Sequence, residues 1–169
     1  MNLLEGIIMI KNKTLEIVDI DVKLLIDKLT TAFADEWMAA YQYWLGAKLA
    51  RGPLRSEIAA ELMVHYEEEI SHATLLADRI LQLGGDLRMF PHDWKRFGSC
   101  DYDAITNVQM LSVLQENLKG EQCAIAFYND LLKMVQGKDF ATQAIIMKIL
   151  SDEIEHEQDI IQFLEDISA

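Results

Sequence analysis

The chain has 169 residues, 51% of them hydrophobic, with two cysteines and a formal net charge of −13. That suits one domain with apolar matter for a real core, and it argues against a disordered protein. The acidic balance argues against a nucleic-acid surface built on clustered Lys and Arg, two cysteines do not make a secreted disulfide framework, and no run approaches transmembrane length.

Residues 1–21 read as an N-terminal extension, with Ile7–Ile10 and Leu15–Ile20 expected as short extended pieces. Ile7–Ile10 is too short for a secretion signal and no basic segment precedes it, so a cytoplasmic protein without membrane contact is expected. Residues 22–169 read as one domain. The first long helix is expected from Val22 to Ala50, stopping at Gly52. Pro53 is expected to open the second, where its missing N–H costs nothing. That helix runs to Leu83 and stops at Gly84-Gly85. Residues 84–105 form a long connection, with a short helix expected near Asp93–Phe97. The third helix is expected from Thr106 to Gln136, stopping at Gly137. Asp139 then caps a fourth that runs to Ile167.

Each long helix has roughly 30 residues and so spans about 45 Å. The first and second are joined by a short link, as are the third and fourth, so each pair should be antiparallel. The connection of 22 residues reaches at most about 70 Å, enough to travel the whole bundle and make the second and third helices parallel. The fold class is therefore all-α, a four-helix bundle with one long crossover.

Two Glu-x-x-His pairs, Glu69/His72 and Glu153/His156, each follow a lone acid, Glu36 or Glu121, by 33 and 32 residues. Glu36 lies on the stripe Leu29, Phe33, Ala40, Tyr43; Glu121 on Leu114, Leu118, Ile125, Tyr128; the two pairs lie on equivalent stripes. Each stripe is the apolar face of an amphipathic helix, interrupted near its middle by acids or imidazoles. One Glu-x-x-His match would carry little weight; two, both on core stripes with equally spaced partners, carry much more. Buried carboxylates are expensive unless paired or metal-bound, and four with no Lys or Arg on the stripes would repel one another. Two divalent cations would balance them. Residues i and i+3 share a face, so each pair can serve one metal. Glu69 and Glu153 are the expected bridges, and Glu36 and Glu121 the terminal ligands. Oxygen-rich sets with one imidazole per metal suit iron or manganese better than structural zinc.

Tyr43 and Tyr128 lie two turns beyond Glu36 and Glu121. Either they hydrogen-bond ligands of the neighbouring hairpin or they are aromatic core with a satisfied hydroxyl. His65, one turn before Glu69, is expected as a hydrogen-bonded core histidine, the alternative being a third metal ligand or an entry or exit site. His92 is expected on the surface, and Glu67, Glu68, Glu155 and Glu157 on a solvated face. Gly120 either gives Glu121 room or marks a bend.

With these residues in place, the chain resembles the ferritin-like superfamily over residues 22–167, and its six-residue set resembles the bacterioferritin ferroxidase centre. Bacterioferritin has a methionine haem ligand where this chain has Ile70, so no haem is expected. No fifth helix is expected after the fourth, a pattern that resembles the Dps class. The chain closely resembles the Dps-like thioferritins, which combine these features with one cysteine in the crossover and one two residues after the third helix's Glu; Cys100 and Cys123 match. The resemblance implies a dodecameric cage with a di-iron centre that oxidises Fe(II) with hydrogen peroxide or O2 and stores ferric mineral, protecting against oxidative stress. It also implies a cysteine pair near the iron site, able to form a disulfide. Cys123 lies about 200° around its helix from Glu121, so it is not expected as a direct ligand. Two unrelated buried cysteines are the alternative. A di-iron oxygenase or peroxidase acting on another substrate is the rival function. Direct DNA binding is not expected, because neither end carries a Lys-rich tail.

Overall fold

The structure, a computed structural model, describes residues 12–102 and 105–168; Ile7–Ile10 fall outside it. Among the described residues, six α-helices and one 3-10 turn occur: α1 Lys13–Glu16, α2 Val22–Leu49, α3 Arg55–Gln82, the turn Pro91–Asp93, α4 Trp94–Phe97, α5 Met110–Val135 and α6 Phe140–Ser168.

Four boundaries correct or sharpen the sequence reading. Leu15–Ile20 is not extended throughout: Asn12 Oδ1 accepts from Thr14 N–H (3.0 Å) and starts the single turn of α1. Val18 and Ile20 then pack on the core. Pro53 does not open α3. Leu54 takes a left-handed φ of 53°, so Gly52, Pro53 and Leu54 form a turn and the first helical bond is Ile58 N–H to Leu54 C=O (2.9 Å). Likewise α5 starts at Met110 rather than Thr106. Arg51 holds the end of the crossover extended, donating to Val108 C=O (2.7 Å) and accepting from Met110 N–H (2.8 Å). The short helical stretch of the crossover begins a little before Asp93, at Pro91, as a 3-10 turn.

The other ends follow local chemistry. Asp21 Oδ1 accepts from Lys23 and Leu24 N–H and caps α2, a contact worth about 1 kcal/mol. Gly84 has φ 84°, and the paired bonds Gly84 N–H to Leu81 C=O and Gly85 N–H to Ile80 C=O close α3, satisfying carbonyls that a helix end would otherwise leave free. Asp139 caps α6 through Thr142 N–H (3.1 Å). The same carboxylate takes an ion pair from buried Arg79 Nη2 (2.7 Å), whose Nε donates to Thr142 Oγ1 (2.8 Å). The end of α3 is thereby pinned to the start of α6.

α2 packs along α3, and α5 along α6. One apolar cluster joins the start of α2 (Leu25, Leu29), the end of α3 (Leu76, Ile80), the end of α5 (Leu131, Val135) and the start of α6 (Ile146, Ile149). A second joins the opposite ends: Tyr43, Ala47, Ile58, Leu62, Val113, Leu114 and Ile160. α3 and α5 are therefore parallel, and the crossover travels the length of an all-α ferritin-like bundle. Between the two clusters lies a polar layer.

Candidate metal centre

Six side chains make that layer. α2 contributes Glu36, α3 Glu69 and His72, α5 Glu121, and α6 Glu153 and His156; none is more than 3% exposed. They form two overlapping groups, Glu36–Glu69–His72–Glu153 and Glu69–Glu121–Glu153–His156, in each of which one ligand atom per residue lies within 4.8 Å of the others. Glu69 and Glu153 belong to both, in the bridging place. His72 Nδ1 faces Glu36 Oε2 (3.2 Å), Glu153 Oε1 (3.3 Å) and Glu69 Oε2 (3.4 Å). His156 Nδ1 faces Glu69 Oε1 (3.3 Å), Glu153 Oε2 (3.5 Å) and Glu121 Oε2 (3.7 Å).

The surrounding bonds cross between hairpins. Tyr43 of α2 donates its hydroxyl to Glu121 Oε1, and Tyr128 of α5 donates to Glu36 Oε1. Burial, then the facing carboxylate, pushes both phenols well above their ordinary range, so they remain donors. Behind the imidazoles, His72 Nε2 donates to Asp152 Oδ2 (2.9 Å) and His156 Nε2 to Glu68 Oε2 (2.9 Å). A carboxylate behind the ring fixes the tautomer that leaves the other nitrogen's lone pair for a metal. Glu68 is thus no mere solvated acid. Glu68 was read only as a solvated acid and Asp152 was not singled out, although they stand just before Glu69 and Glu153, a repeat visible in Glu68-Glu69 and Asp152-Glu153.

The donors fit divalent metal. Glu69 Oε1, Glu121 Oε2, Glu153 Oε1 and His156 Nδ1 are buried and have no hydrogen-bond partner, a costly condition for polar atoms in a core. Without metal, protons carry the balance. Burial, then Glu69, raises Glu36 well above the usual carboxylate range. Burial, then Glu153, pushes Glu121 up to about 7. Burial alone would lower the two imidazoles, but Glu153, Glu36 and Glu69 around His72, and Glu121, Glu153 and Glu69 around His156, raise both far above their ordinary value.

A ferritin-like domain model matches residues 26–169 of this sequence. The chain belongs to the ferritin-like family. It is 31% identical, over 140 residues, to the DNA protection during starvation protein of Pyrococcus furiosus, covering 82% of this chain and 75% of that one. In structure it is similar to the bacterioferritin-related protein of Bacteroides fragilis, a dodecameric thioferritin, with a TM-score of 0.91, 40% identity and 94% and 95% of the two chains covered. It also shares its fold with Dps from Thermosynechococcus elongatus, at TM-score 0.79 and 16% identity over 84% and 90% of the two chains. The thioferritin resemblance read from the ligand set and cysteine positions is therefore upheld.

Cys100 and Cys123 form a disulfide with Cα atoms 5.8 Å apart, joining the crossover to α5. Asp35, buried beside Glu36 in sequence, ties the same loop down: its carboxylate accepts from Ser99 N–H (2.9 Å), Ser99 Oγ–H (2.8 Å) and Cys100 N–H (3.0 Å). Burial raises its pKa despite these bonds. Asp35 escaped sequence reading because its partner lies 64 residues away. Gly120 makes room for the crossover's Tyr102, whose ring would stand 2.9 Å from a Cβ there. His65 is buried but, against expectation, not hydrogen-bonded; its ring stacks on His156 with centroids 4.1 Å apart. Burial, then His156, pushes it down to about 4. His92 is exposed in the crossover, as expected. Among the described residues no helix is long and apolar enough to cross a membrane.

Proposed function

We propose that this chain is a ferroxidase subunit of an iron-storing cage. Its substrate, two Fe(II) ions, binds at Glu36, Glu69, His72, Glu121, Glu153 and His156. The observation that carries the reading is the pair of overlapping four-residue groups sharing Glu69 and Glu153, the arrangement that sets two metals roughly 3.5–4 Å apart. Hydrogen peroxide is the favoured oxidant, with O2 the other: two Fe(II), one peroxide and two protons give two Fe(III) and two waters. The chain's contribution is to hold both ions between bridging carboxylates, to keep each imidazole's Nδ1 turned inward through Asp152 and Glu68, and to restrain Glu36 and Glu121 through Tyr128 and Tyr43. Ferric iron then passes to storage, which lowers free iron and peroxide together and so limits oxidative damage.

Likeness to the dodecameric B. fragilis protein supports a twelve-subunit cage, and the absence of a membrane-spanning helix among the described residues supports a cytoplasmic setting. Direct contact with DNA is not part of the reading, given a net charge of −13. The Cys100–Cys123 pair, held next to Glu36 through Asp35, is proposed as a redox element of the same centre. An oxygenase or peroxidase acting on another substrate would want a cavity opening onto the six residues. The apolar cavity of about 300 Å³ lined by Trp37, Ala40, Tyr41, Trp44, Tyr66, Ile70 and Trp94 touches none of them.

The test is anaerobic Fe(II) addition followed by limiting peroxide, counting iron oxidised and retained. Two Fe(II) should be oxidised per peroxide and retention should rise well beyond two per chain, with both lost in Glu69→Ala and Glu153→Ala. Saturation at two would end the storage reading.

A further inference from the structure

We propose that Glu61, His65 and Asp159 form a third divalent-cation site, one imidazole stack away from the six-residue centre. Glu61 and His65 are four residues apart on α3 and so share a face, while Asp159 comes across from α6. One ligand atom from each lies within 4.8 Å of the other two. His65 Nε2 stands 3.5 Å from Asp159 Oδ2 and 3.8 Å from Glu61 Oε1. These separations are too long for hydrogen bonds, which close at about 2.7–3.2 Å. They lie a few tenths of an ångström beyond the roughly 3.0–3.4 Å that separates donors each about 2.1 Å from one metal at octahedral or tetrahedral angles, so a small inward turn of the two carboxylates would close them on an ion.

The second observation is the state of His65. It is 1% exposed, and neither ring nitrogen has a hydrogen-bond partner, although it is aimed at two carboxylates. A third comes from the internal repeat. The positions four and eight before Glu69 and three after His72's counterpart His156 hold His65, Glu61 and Asp159. The matching positions around Glu153 and His72 hold Ile149, Ile145 and Leu75. One side of the bundle thus fills this space with apolar groups, so packing alone does not call for a polar cluster on the other.

Two carboxylates and one imidazole offset a charge of +2 and favour Fe(II), Co(II) or Zn(II) over Mg(II). With Glu61 and Asp159 side chains 35% and 33% exposed, the site opens to solvent, unlike the buried centre. His65 stacks on His156 at 4.1 Å, so the site is placed to pass Fe(II) between solvent and the centre. That role rests on the ferroxidase reading; cation binding does not.

The test is anomalous diffraction from crystals of the assembled protein equilibrated anaerobically with Co(II), paired with equilibrium dialysis. Wild type should bind three Co(II) per chain. His65→Leu, which copies the apolar side of the repeat, and Asp159→Asn should bind two, with the third peak gone and the paired peaks kept; cage size checks folding. Glu69→Gln/Glu153→Gln should lose the pair and keep the third. Two equivalents in wild type, or three in His65→Leu, would overturn the proposal. A third peak without the pair in wild type would instead overturn the di-iron reading alone.

Discussion

Loading the centre with two divalent ions should expel about as much positive charge as it brings in. The six side chains are at most 3% exposed, and the two ligand groups contain no Lys or Arg. A dry core tolerates little net charge, so two ions carrying four charges should displace about four protons per chain. The structure names them. Both imidazoles are raised far above their ordinary value, so each holds a proton at pH 7, and Glu36, raised well above its own by burial and then Glu69, is the expected holder of a third. Glu121, at about 7, holds one half of the time. The count should therefore fall from about four at pH 6 to about three at pH 8, and the combined affinity for the pair should rise about 10³- to 10⁴-fold per pH unit. Calorimetric titration with Co(II), anaerobically and in buffers of different ionisation enthalpy, reads the proton number directly. Glu36→Gln should lower it by about one. The sign for stability follows. Glu121 is raised, so its contribution is complete below the ordinary Glu value of about 4.3 and is lost as pH climbs through 7. Metal-free protein should thus weaken over that window, and metal-loaded protein should not. Release of fewer than two protons at pH 7, or a count unchanged by pH, would refute the charge-exchange argument.

Three further outcomes follow from the surrounding contacts. Asp152→Asn and Glu68→Gln, which remove the carboxylates behind His72 and His156, should each weaken Co(II) binding roughly 10- to 100-fold while leaving the thermal midpoint of the metal-free cage nearly unchanged; calorimetry and thermal melts separate the two effects. Reducing Cys100–Cys123, which are 23 residues apart, should cost about 3 kcal/mol by loop entropy, read as a lower denaturant midpoint with reductant and no change in Cys100→Ser. Asp139→Ala strands buried Arg79 and should cost about 3–5 kcal/mol. Because Asp139 is held below its usual value by Thr142 and Arg79 against burial, its contribution is present above about pH 4 and should vanish in wild type as pH falls through the lowered value; a urea series from pH 3 to 7 on both proteins checks this.

Much of the centre was written in spacing. A carboxylate on an apolar helical stripe has nowhere to go but the core, so Glu36, Glu69, Glu121 and Glu153 were fixed by periodicity, and His72 and His156 by sharing a face with the bridging acids. Glu69 and Glu153, expected as bridges because only the helices carrying His offer two groups to the middle, are the two residues common to both groups. Helix ends were legible where one residue sets them, as at Gly84, Gly137 and Asp139. One failed where a distant stretch of backbone decides, since α5 begins late because Arg51 claims Val108 and Met110; another failed locally, since Pro53 stays outside α3 because its neighbour Leu54 turns left-handed.

What tertiary structure alone decided are the contacts between segments remote in sequence. Glu68 looked like a solvent-facing acid, and Asp152 carried no reading, until the two hairpins met and set each behind an imidazole of the other. Asp35 gained its role from Ser99 and Cys100, and Gly120 from Tyr102. His65 looked like a hydrogen-bonded core residue until α6 brought Asp159 to within 3.5 Å, just beyond bonding reach. Periodicity tells a side chain which way to face because the helix is a local structure. Which partner it meets depends on how the helices pack, and that is a property of the whole chain.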